Sequence, residues 1–153
     1  MSSFLINGFF GLANGRREFI TKAGRSGHDM RVYHVHYTTT IQCLDSTSIP
    51  ADVRVYSSGT DMILADNTVA FVLAKLFIKQ DRSAEMDAIC LSQVPGDPES
   101  DTYEDSIPDV QIPFVFGIGQ VSRLVDSMGG GYKRFQLTVS EYVRDQQNCC
   151  SVQ

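Results

Sequence analysis

The sequence predicts an all-β domain whose strands run mainly antiparallel. One observation behind this prediction is an apolar run from Pro113 to Val125, which is too rich in β-branched and aromatic residues to favour a helix. Three consecutive glycines at 129–131 follow, and Tyr132–Arg144 then alternates apolar and polar side chains almost strictly. We therefore expect two strands around a glycine turn, forming a hairpin over residues 112–144.

A second observation is the segment Val69–Lys79, which places apolar side chains at every other position. A helix is the rival interpretation of this run, but the period-two placement of its lysines favours a strand. The apolar face of this strand, which we expect to lie in the core, consists of Ala70, Val72, Ala74, Leu76 and Ile78. Further strands are predicted at 31–43, 53–56 and 88–94, with a short piece at 62–64.

Length and strand spacing indicate how the chain is organised. A chain of 153 residues is most simply one domain, 1–153. About six or seven strands without a convincing long helix favour an antiparallel barrel or sandwich. Within this domain we expect an N-terminal arm at 1–30, a β-barrel core at 31–145 that carries an acidic loop at 96–109, and a C-terminal tail at 146–153. Residues 4–12 of the arm are apolar and could form a first strand or pack on the core.

Charge is distributed unevenly along the chain, whose formal net charge is −5. The acidic loop 96–109 holds six carboxylates and no basic residue, whereas the rest of the chain has 12 acidic and 13 basic residues. This balance argues against a strongly basic nucleic-acid binder, but it does not exclude an anionic partner. The loop is predicted to be disordered and solvating. A Ca²⁺ site without EF-hand spacing, or a shield over a basic face, is the alternative.

Cysteine usage and the lack of targeting signals predict an intracellular protein of the cytoplasm or nucleus. Four cysteines are present without a Cys-x-x-Cys or zinc-finger spacing. Cys43 and Cys90 fall in predicted strands, where we expect buried thiols. The first residues lack the basic lead of a secretory signal, and no apolar run reaches membrane-spanning length.

The C-terminal residues contain one candidate lipidation site. Cys150 is the fourth residue from the end, as in a prenylation box, and Gln153 in the last position would favour a farnesyl group. Cys149 could carry a second lipid, whereas Ser151 departs from the aliphatic pattern of such boxes. An accidental match is the alternative.

Motifs for catalysis are largely missing. Gly117 and Gly119 lie inside a predicted strand and so form no dinucleotide fingerprint, and the sequence has no Walker A or nucleophile-elbow motif. His34 and His36 share one face of a predicted strand and could ligate a metal ion together, but a catalytic zinc site needs a third protein ligand. A metal-dependent enzyme using this pair is the least favoured hypothesis, and no cofactor is predicted.

Two predicted strand faces combine aromatic and basic side chains. Such faces can stack bases and hold phosphates, as in proteins that bind single-stranded nucleic acid. Packing of Phe71 and Phe77 against a second apolar layer, with lysines at its rim, is the alternative. The candidate nucleic-acid-binding residues are Phe71, Lys75, Phe77, Lys79, Tyr132, Lys133, Arg134, Tyr142 and Arg144.

The strand pattern from Val69–Lys79 through Gly117–Ser122 to Phe135–Val143 resembles the OB-fold. Over roughly residues 30–145 the chain is similar to OB-fold subunits of single-stranded-DNA-binding complexes such as replication protein A, and to small OB-like proteins of fungi. The resemblance implies a Greek-key OB-like β-barrel with long loops, which binds nucleic acid through aromatic and basic side chains. The chain departs from the family in its acidic balance, its lack of tryptophan and the missing helix between the third and fourth strands.

The leading hypothesis is therefore non-catalytic binding of single-stranded DNA or RNA by the aromatic and basic faces. The alternative is a protein–protein interaction module, or a structural barrel subunit, that uses the same faces or the edge of the strand Tyr132–Arg144. The sequence predicts neither the identity of the partner nor the oligomeric state.

Overall fold

The computed structural model of the protein describes residues 3–23, 28–110, 112–121, 126–127 and 133–152. Within these residues the chain forms strands and one short 3-10 helix, Tyr103–Ser106, so the all-β prediction is confirmed. The strands are β1 (Ser3–Ala23), β2 (Asp29–Gln42), β3 (Ser48–Ser57), β4 (Thr68–Ile78), β5 (Ala84–Gln93), β6 (Phe114–Ile118), β7 (Gln120–Val121), β8 (Asp126–Ser127), β9 (Lys133–Arg134), β10 (Leu137–Val143) and β11 (Gln146–Val152).

Strands β1 to β5 close into a barrel. β1 pairs antiparallel with β4 through its first half and with β2 through its second half. β3 lies between β2 and β5, antiparallel to β2 and parallel to β5, and β5 pairs with β4. The closed order 1-2-3-5-4-1 is a five-stranded Greek-key arrangement of the OB type, which confirms the predicted fold class.

β1 corrects the predicted N-terminal arm at 1–30. Ser3–Ala23 is a strand of the barrel itself, and its inward side chains fill one end of the interior. The register shifts between Ala13 and Arg16, where Asn14 has a φ of 54°, and this bulge bends the strand from its β4 partner toward β2. The buried apolar side chains of β1 are Phe4, Ile6, Phe10 and Leu12.

The barrel interior is apolar and is filled by every second side chain of each strand. β4 contributes the face that its period-two pattern predicts, with Ala70, Val72, Ala74 and Leu76 buried and Ile78 partly buried. Small side chains on this strand suit the narrow interior of a barrel with few strands. Inward side chains of the neighbouring strands include Val35, Tyr37, Val53 and Met86.

The C-terminal part departs from the predicted hairpin at 112–144. β6, which begins the first predicted strand, pairs with β1 and not with the strand that follows it. The pairs β7–β10 and β8–β9 are antiparallel as expected, with Val121 opposite Leu137 and Ser127 opposite Lys133. The second predicted strand is interrupted at residues 135–136. The predicted glycine turn at 129–131 lies outside the described residues.

The predicted C-terminal tail at 146–153 is instead a strand. β11 pairs with β10 along its length, and the two turn residues between them, Arg144 and Asp145, have φ values of 57° and 60°. Positive φ at both central residues is typical of a type I′ turn, whose twist matches that of paired strands. Val139 and Val143 on β10 are buried, so this hairpin packs onto the barrel.

The acidic loop 96–109 is anchored to the barrel, in contrast to the predicted disorder. Tyr103 is buried, and its hydroxyl accepts a hydrogen bond from the backbone N–H of Val69 at 2.9 Å. Gly96 lies against this ring with a φ of 130°, and a Cβ there would lie 2.8 Å from Tyr103. The six carboxylates of the loop are exposed, so the loop is acidic and solvated while its backbone is held in place.

The predicted burial of two thiols is also corrected. Cys43 is half-buried at the end of β2, and Cys90 is exposed. The register between β4 and β5 shifts beside Leu73, which faces Cys90. The extra residue in β5 breaks the inward–outward alternation and turns Cys90 to the outer surface.

Ile6→Ala should lower the free energy of unfolding by about 2–5 kcal/mol, because Ile6 is fully buried in the barrel interior. Urea unfolding followed by circular dichroism measures this change. Thr21→Ala, at an exposed position of the same strand, is the control and should change stability by less than about 0.5 kcal/mol. An Ile6→Ala variant as stable as the wild type would indicate an arm outside the core.

Tyr103→Ala should release the acidic loop and speed its cleavage by a glutamate-specific protease at Glu99 and Glu104. The substitution removes both the buried ring and the hydroxyl that binds the Val69 backbone. Limited proteolysis with mass spectrometry measures the cleavage rate, and Tyr142→Ala, which removes an exposed tyrosine, is the matched control. If the wild-type protein is cleaved as fast as Tyr103→Ala, the result would support the sequence-based prediction that the loop is disordered.

Candidate functional site

The outer surface of the barrel carries a dense cluster of charged side chains. Outward positions alternate with the buried ones along β2, β3 and β5, and they bring His36, Asp52, Arg54 and Asp87 together. The Arg54 guanidinium donates two hydrogen bonds to the Asp87 carboxylate, at 2.8 and 2.7 Å. Such a bidentate pair is among the stronger charged contacts of a protein, and both of its side chains are largely shielded from solvent.

The turn of the β10–β11 hairpin lies across this cluster. The backbone N–H of Arg144 donates to Asp87 at 2.7 Å, and the Arg144 guanidinium forms an ion pair with Asp52. The Asp145 carboxylate accepts hydrogen bonds from Arg54 on β3 at 2.7 Å and from Lys22 on β1 at 3.2 Å. The turn residues therefore bind side chains from several strands of the barrel, and we call this group of contacts the hairpin clasp.

Asp52 is the most heavily engaged carboxylate of the clasp. Its oxygens lie 3.0 Å from His36 Nδ1 and 2.9 Å from Arg16 Nη2, and Arg144 binds it from the hairpin side. Burial alone would raise the pKa of Asp52, but the hydrogen bonds from His36 and Arg16 and the charge of Arg144 outweigh it and hold that pKa well below its usual range. Asp52 is therefore ionised at neutral pH and takes up a proton only on strong acidification.

A second carboxylate ties the hairpin to the start of β1. Glu141 is buried on the inner side of β10 and accepts hydrogen bonds from Ser3 Oγ at 2.9 Å and from the Phe4 backbone N–H at 3.3 Å. Lys75 Nζ lies 3.1 Å from its other oxygen. Burial would raise the pKa of Glu141, but the hydrogen bonds, first that from the Tyr142 N–H, lower it below its ordinary value.

The described cations of the nine candidate residues are each engaged by a carboxylate. Lys75 pairs with Glu141, Lys79 Nζ lies 2.9 Å from Glu85, and Arg144 belongs to the hairpin clasp. The charge of each of these cations is therefore partly offset by a neighbouring carboxylate.

The aromatic members of the nine candidate residues differ in exposure. Phe71 packs edge-on against Phe9, with ring centroids 5.5 Å apart, and Phe77 is half-buried, whereas Tyr142 is exposed beside Lys75. Tyr132 and the side chains of Lys133 and Arg134 lie outside the described residues. The nucleic-acid role of the nine residues stays a prediction.

The two candidate metal-ligating histidines have different partners. His36 binds Asp52, whereas the ring of His34 lies edge-on to Tyr56, with centroids 6.3 Å apart. Burial and the neighbouring Arg54 charge lower the pKa of His34, so its imidazole is neutral at pH 7. Among the described residues, no group of three or more His, Cys, Asp and Glu side chains is arranged to hold a metal ion.

The candidate lipidation site lies within a strand. Cys150 is half-buried in β11, opposite Val139, and burial raises the pKa of its thiol. Cys149 next to it is exposed. Prenylation of Cys150 stays a prediction, as does the intracellular location. No helix within the described ranges is long and apolar enough to cross a membrane.

One end of the outer face is left uncovered by the hairpin clasp. Tyr56 on β3 is 69% exposed, and its cross-strand neighbour on β2 is His34. Lys22 on β1 projects from the same side of the sheet, since Glu18 is the residue opposite His34 and side chains alternate along the strand. Sequence reasoning missed Tyr56 as a site residue, although its alternation with the inward Val53 and Val55 indicates an outward side chain.

A second aromatic group lies on the other side of the β1–β2 ribbon. Phe19 is 53% exposed, and the guanidinium carbon of Arg31 lies 5.0 Å from the centre of its ring, within the range of a cation–π contact. The Tyr33 ring lies beside Phe19 at 5.9 Å. Arg31 forms no ion pair with any residue that the structure describes.

An apolar cavity of about 390 Å³ opens between the barrel end and the segment before β6. It is lined mainly by branched side chains, among them Ile41, Ile49, Leu76 and Ile78, with Val115 of β6 on its far side. Gln42 and Cys43 are the polar residues of its lining, so few groups could orient a polar ligand there.

Fold and site together define an all-β, OB-like barrel whose outer face is crossed by its own C-terminal hairpin. No protein-family model matches the chain, and no curated protein matches it. Among solved structures, a crystal structure of a deletion mutant of the single-stranded DNA binding protein from Thermus aquaticus is similar, with a TM-score of 0.43 and 11% identity over 98% of this chain and 74% of that chain. At this TM-score the superposition does not support the fold assignment, which rests on the strand order of the barrel. The likeness to replication protein A subunits and to fungal OB-like proteins stays a prediction.

Acidification should destabilise the protein through the hairpin clasp. The pKa of Asp52 and that of Asp145 are depressed in the folded state, so their contribution to stability is complete above their unfolded pKa values and is lost as the pH falls toward the folded ones. Urea midpoints should therefore change little between about pH 6 and pH 5 and should fall between about pH 5 and pH 3.

Asp52→Asn tests the assignment of this pH dependence. The variant should be less stable than the wild type at pH 7 and should lose less stability on acidification, because the titrating group has been removed. Asp101→Asn, an exposed carboxylate of the acidic loop, is the matched control and should follow the wild-type curve. Parallel curves for Asp52→Asn and the wild type would remove Asp52 from the explanation.

Proposed function

We propose that this chain is a non-catalytic binding module for single-stranded nucleic acid, and that a base stacks on Tyr56 at the uncovered end of the β2–β3 face. The observation that carries this proposal is the 69% exposure of Tyr56 on the outer side of β3, beside His34 on β2. In OB-type barrels the outer face of the second and third strands is where oligonucleotides bind. The hairpin clasp covers the rest of this face, so the ligand would lie at the Tyr56 end.

The chemistry of this end suits stacking better than phosphate binding. A tyrosine ring and a neutral imidazole offer π surfaces without a charge, and each stacked base contributes about 1–3 kcal/mol. The cations described on this side include Arg54, two residues before Tyr56 on β3, and Lys22 on β1, and both already share the Asp145 carboxylate. Arg31 has no carboxylate partner among the described residues. It lies on the opposite side of the β1–β2 ribbon, away from Tyr56.

The proposal therefore predicts an unusual salt dependence for a nucleic-acid binder. If Arg54 and Lys22 each met one phosphate, the slope of log K against log salt should be no steeper than about −1.5, since each phosphate contact on a single strand contributes roughly −0.7. A groove that used all nine candidate residues would give a much steeper slope, because five of them are basic.

Tyr56→Ala should weaken binding of a single-stranded oligonucleotide by about 5- to 150-fold, the equivalent of one lost stack. Fluorescence anisotropy with labelled oligo-dT and oligo-rU, at about 50 and 200 mM salt, measures the affinity and the salt slope. Tyr56→Phe should retain binding, because the stacking ring remains. Leu44→Ala is the control. It removes an apolar side chain on the β2–β3 loop that is more exposed than Tyr56.

Tyr142→Ala separates this site from the surface predicted from the sequence. Both tyrosines are exposed, but Tyr142 lies on the hairpin and Tyr56 on the barrel. If Tyr142→Ala abolishes binding and Tyr56→Ala does not, the function holds and the site moves to the nine predicted residues. The absence of binding to either oligonucleotide at low salt would retire the proposed function.

A further inference from the structure

β6 is the end strand of the six-stranded sheet. Its residues pair with the first residues of β1, from Phe114 opposite Asn7 to Ile118 opposite Ser3. β6 is the last strand in the order of the sheet. Within the described residues the other edge of β6 has no strand partner. Its backbone N–H and C=O groups on that edge are therefore available to another strand.

The side chains of β6 are apolar and exposed on both faces. Phe114, Phe116 and Ile118 form a row on one face, with exposures of 66%, 52% and 66%, and the two phenylalanine rings lie 5.8 Å apart. Val115 on the other face is 46% exposed. Together with Ile112 and Val121 these side chains present on the order of 500 Å² of apolar surface, which is comparable to the largest apolar patch of a typical monomer, a patch that is often functional.

We propose that β6 pairs antiparallel with β6 of a second copy of this chain, about a two-fold axis at Phe116. In this register Phe116 faces the Phe116 of the second copy, Phe114 faces Ile118, and Val115 faces Gly117. On the inner face the Val115 side chain thus lies beside Gly117, which has no side chain. On the outer face the row of Phe114, Phe116 and Ile118 continues across the axis. The six-stranded sheets of the two copies become one continuous sheet.

The composition of the segment favours a second copy over a different partner. Residues 112–121 contain no charged side chain, so the strand offers nothing that would select a charged peptide. Pairing with itself brings no like charges together, which is the usual obstacle to self-association of an edge strand. A two-fold arrangement also uses the same patch on both subunits, and it closes without forming a chain of subunits.

The small size of the patch indicates a weak, transient dimer. Two copies would bury a total on the order of 1,000 Å², at the lower end of specific interfaces, so the dimer should form in the micromolar range. Sedimentation velocity of the full chain from about 1 to 100 µM should show conversion from monomer to dimer.

Phe116→Glu tests the position of the axis. The substitution removes two apolar rings from the interface and places two carboxylates opposite each other across the axis. It should weaken the dimer at least about 30-fold, so that the variant stays monomeric over the same range. Met62→Glu, at an exposed apolar position on the connection between β3 and β4, is the matched control and should dimerise like the wild type. Far-ultraviolet circular dichroism and the melting temperature at about 1 µM show whether Phe116→Glu is folded, and Phe114→Lys, at a more exposed position, replaces it if it is not.

Hydrogen exchange distinguishes strand pairing from contact of the apolar row alone. Amides of residues 114–118 should exchange more slowly at 100 µM than at 1 µM, whereas those of β3 inside the barrel should not change. A wild-type monomer at 100 µM would overturn the proposal. A dimer that survives Phe116→Glu, or one without concentration-dependent protection of β6, would overturn it equally. None of these results bears on Tyr56, so the proposed nucleic-acid binding is tested separately.

Discussion

Closure of the barrel on one strand is the constraint on which the rest of the structure depends. β1 pairs with β4, bends at the bulge around Asn14, and then pairs with β2. Because this strand has a partner on each side, the five barrel strands satisfy one another and share a single interior. The inward side chains of β1 and β4 meet in this interior. Ala70 and Ala74 on β4 are small and so leave room for the larger Phe10 and Ile6 opposite them on β1.

The hairpin clasp then determines what the outer face can do. Its arginines and carboxylates nearly all bind one another, so the face is charged in composition but close to neutral in effect. Ion pairs shielded from water fix geometry more than they add stability, since the desolvation of each charge offsets much of the attraction. The clasp thus holds the hairpin in one position, and it leaves the surface around Tyr56 uncovered.

The two proposed surfaces lie far apart along the same strand. β6 pairs with residues 3–7 of β1, whereas the Tyr56 end is reached through His34, which is opposite Glu18. Pairing of two copies through β6 would therefore leave both Tyr56 sites free. A dimer would also join two weak stacking sites in one particle, and linked sites bind a long strand more tightly than either does alone.

The sequence by itself determined the period-two patterns, and through them the strands and their inward faces. β4 is correct to within one residue at each end and in its buried face, since alternation is a local property of the backbone. The sequence did not determine which strands pair, so it assigned residues 1–30 to an arm, 146–153 to a tail and Phe114–Ile118 to a hairpin. It also could not show that Lys75, Lys79 and Arg144 are engaged by Glu141, Glu85 and Asp52, most of which are distant along the chain. Strand pairing and ion pairing join residues far apart in sequence, and only the tertiary structure decides them.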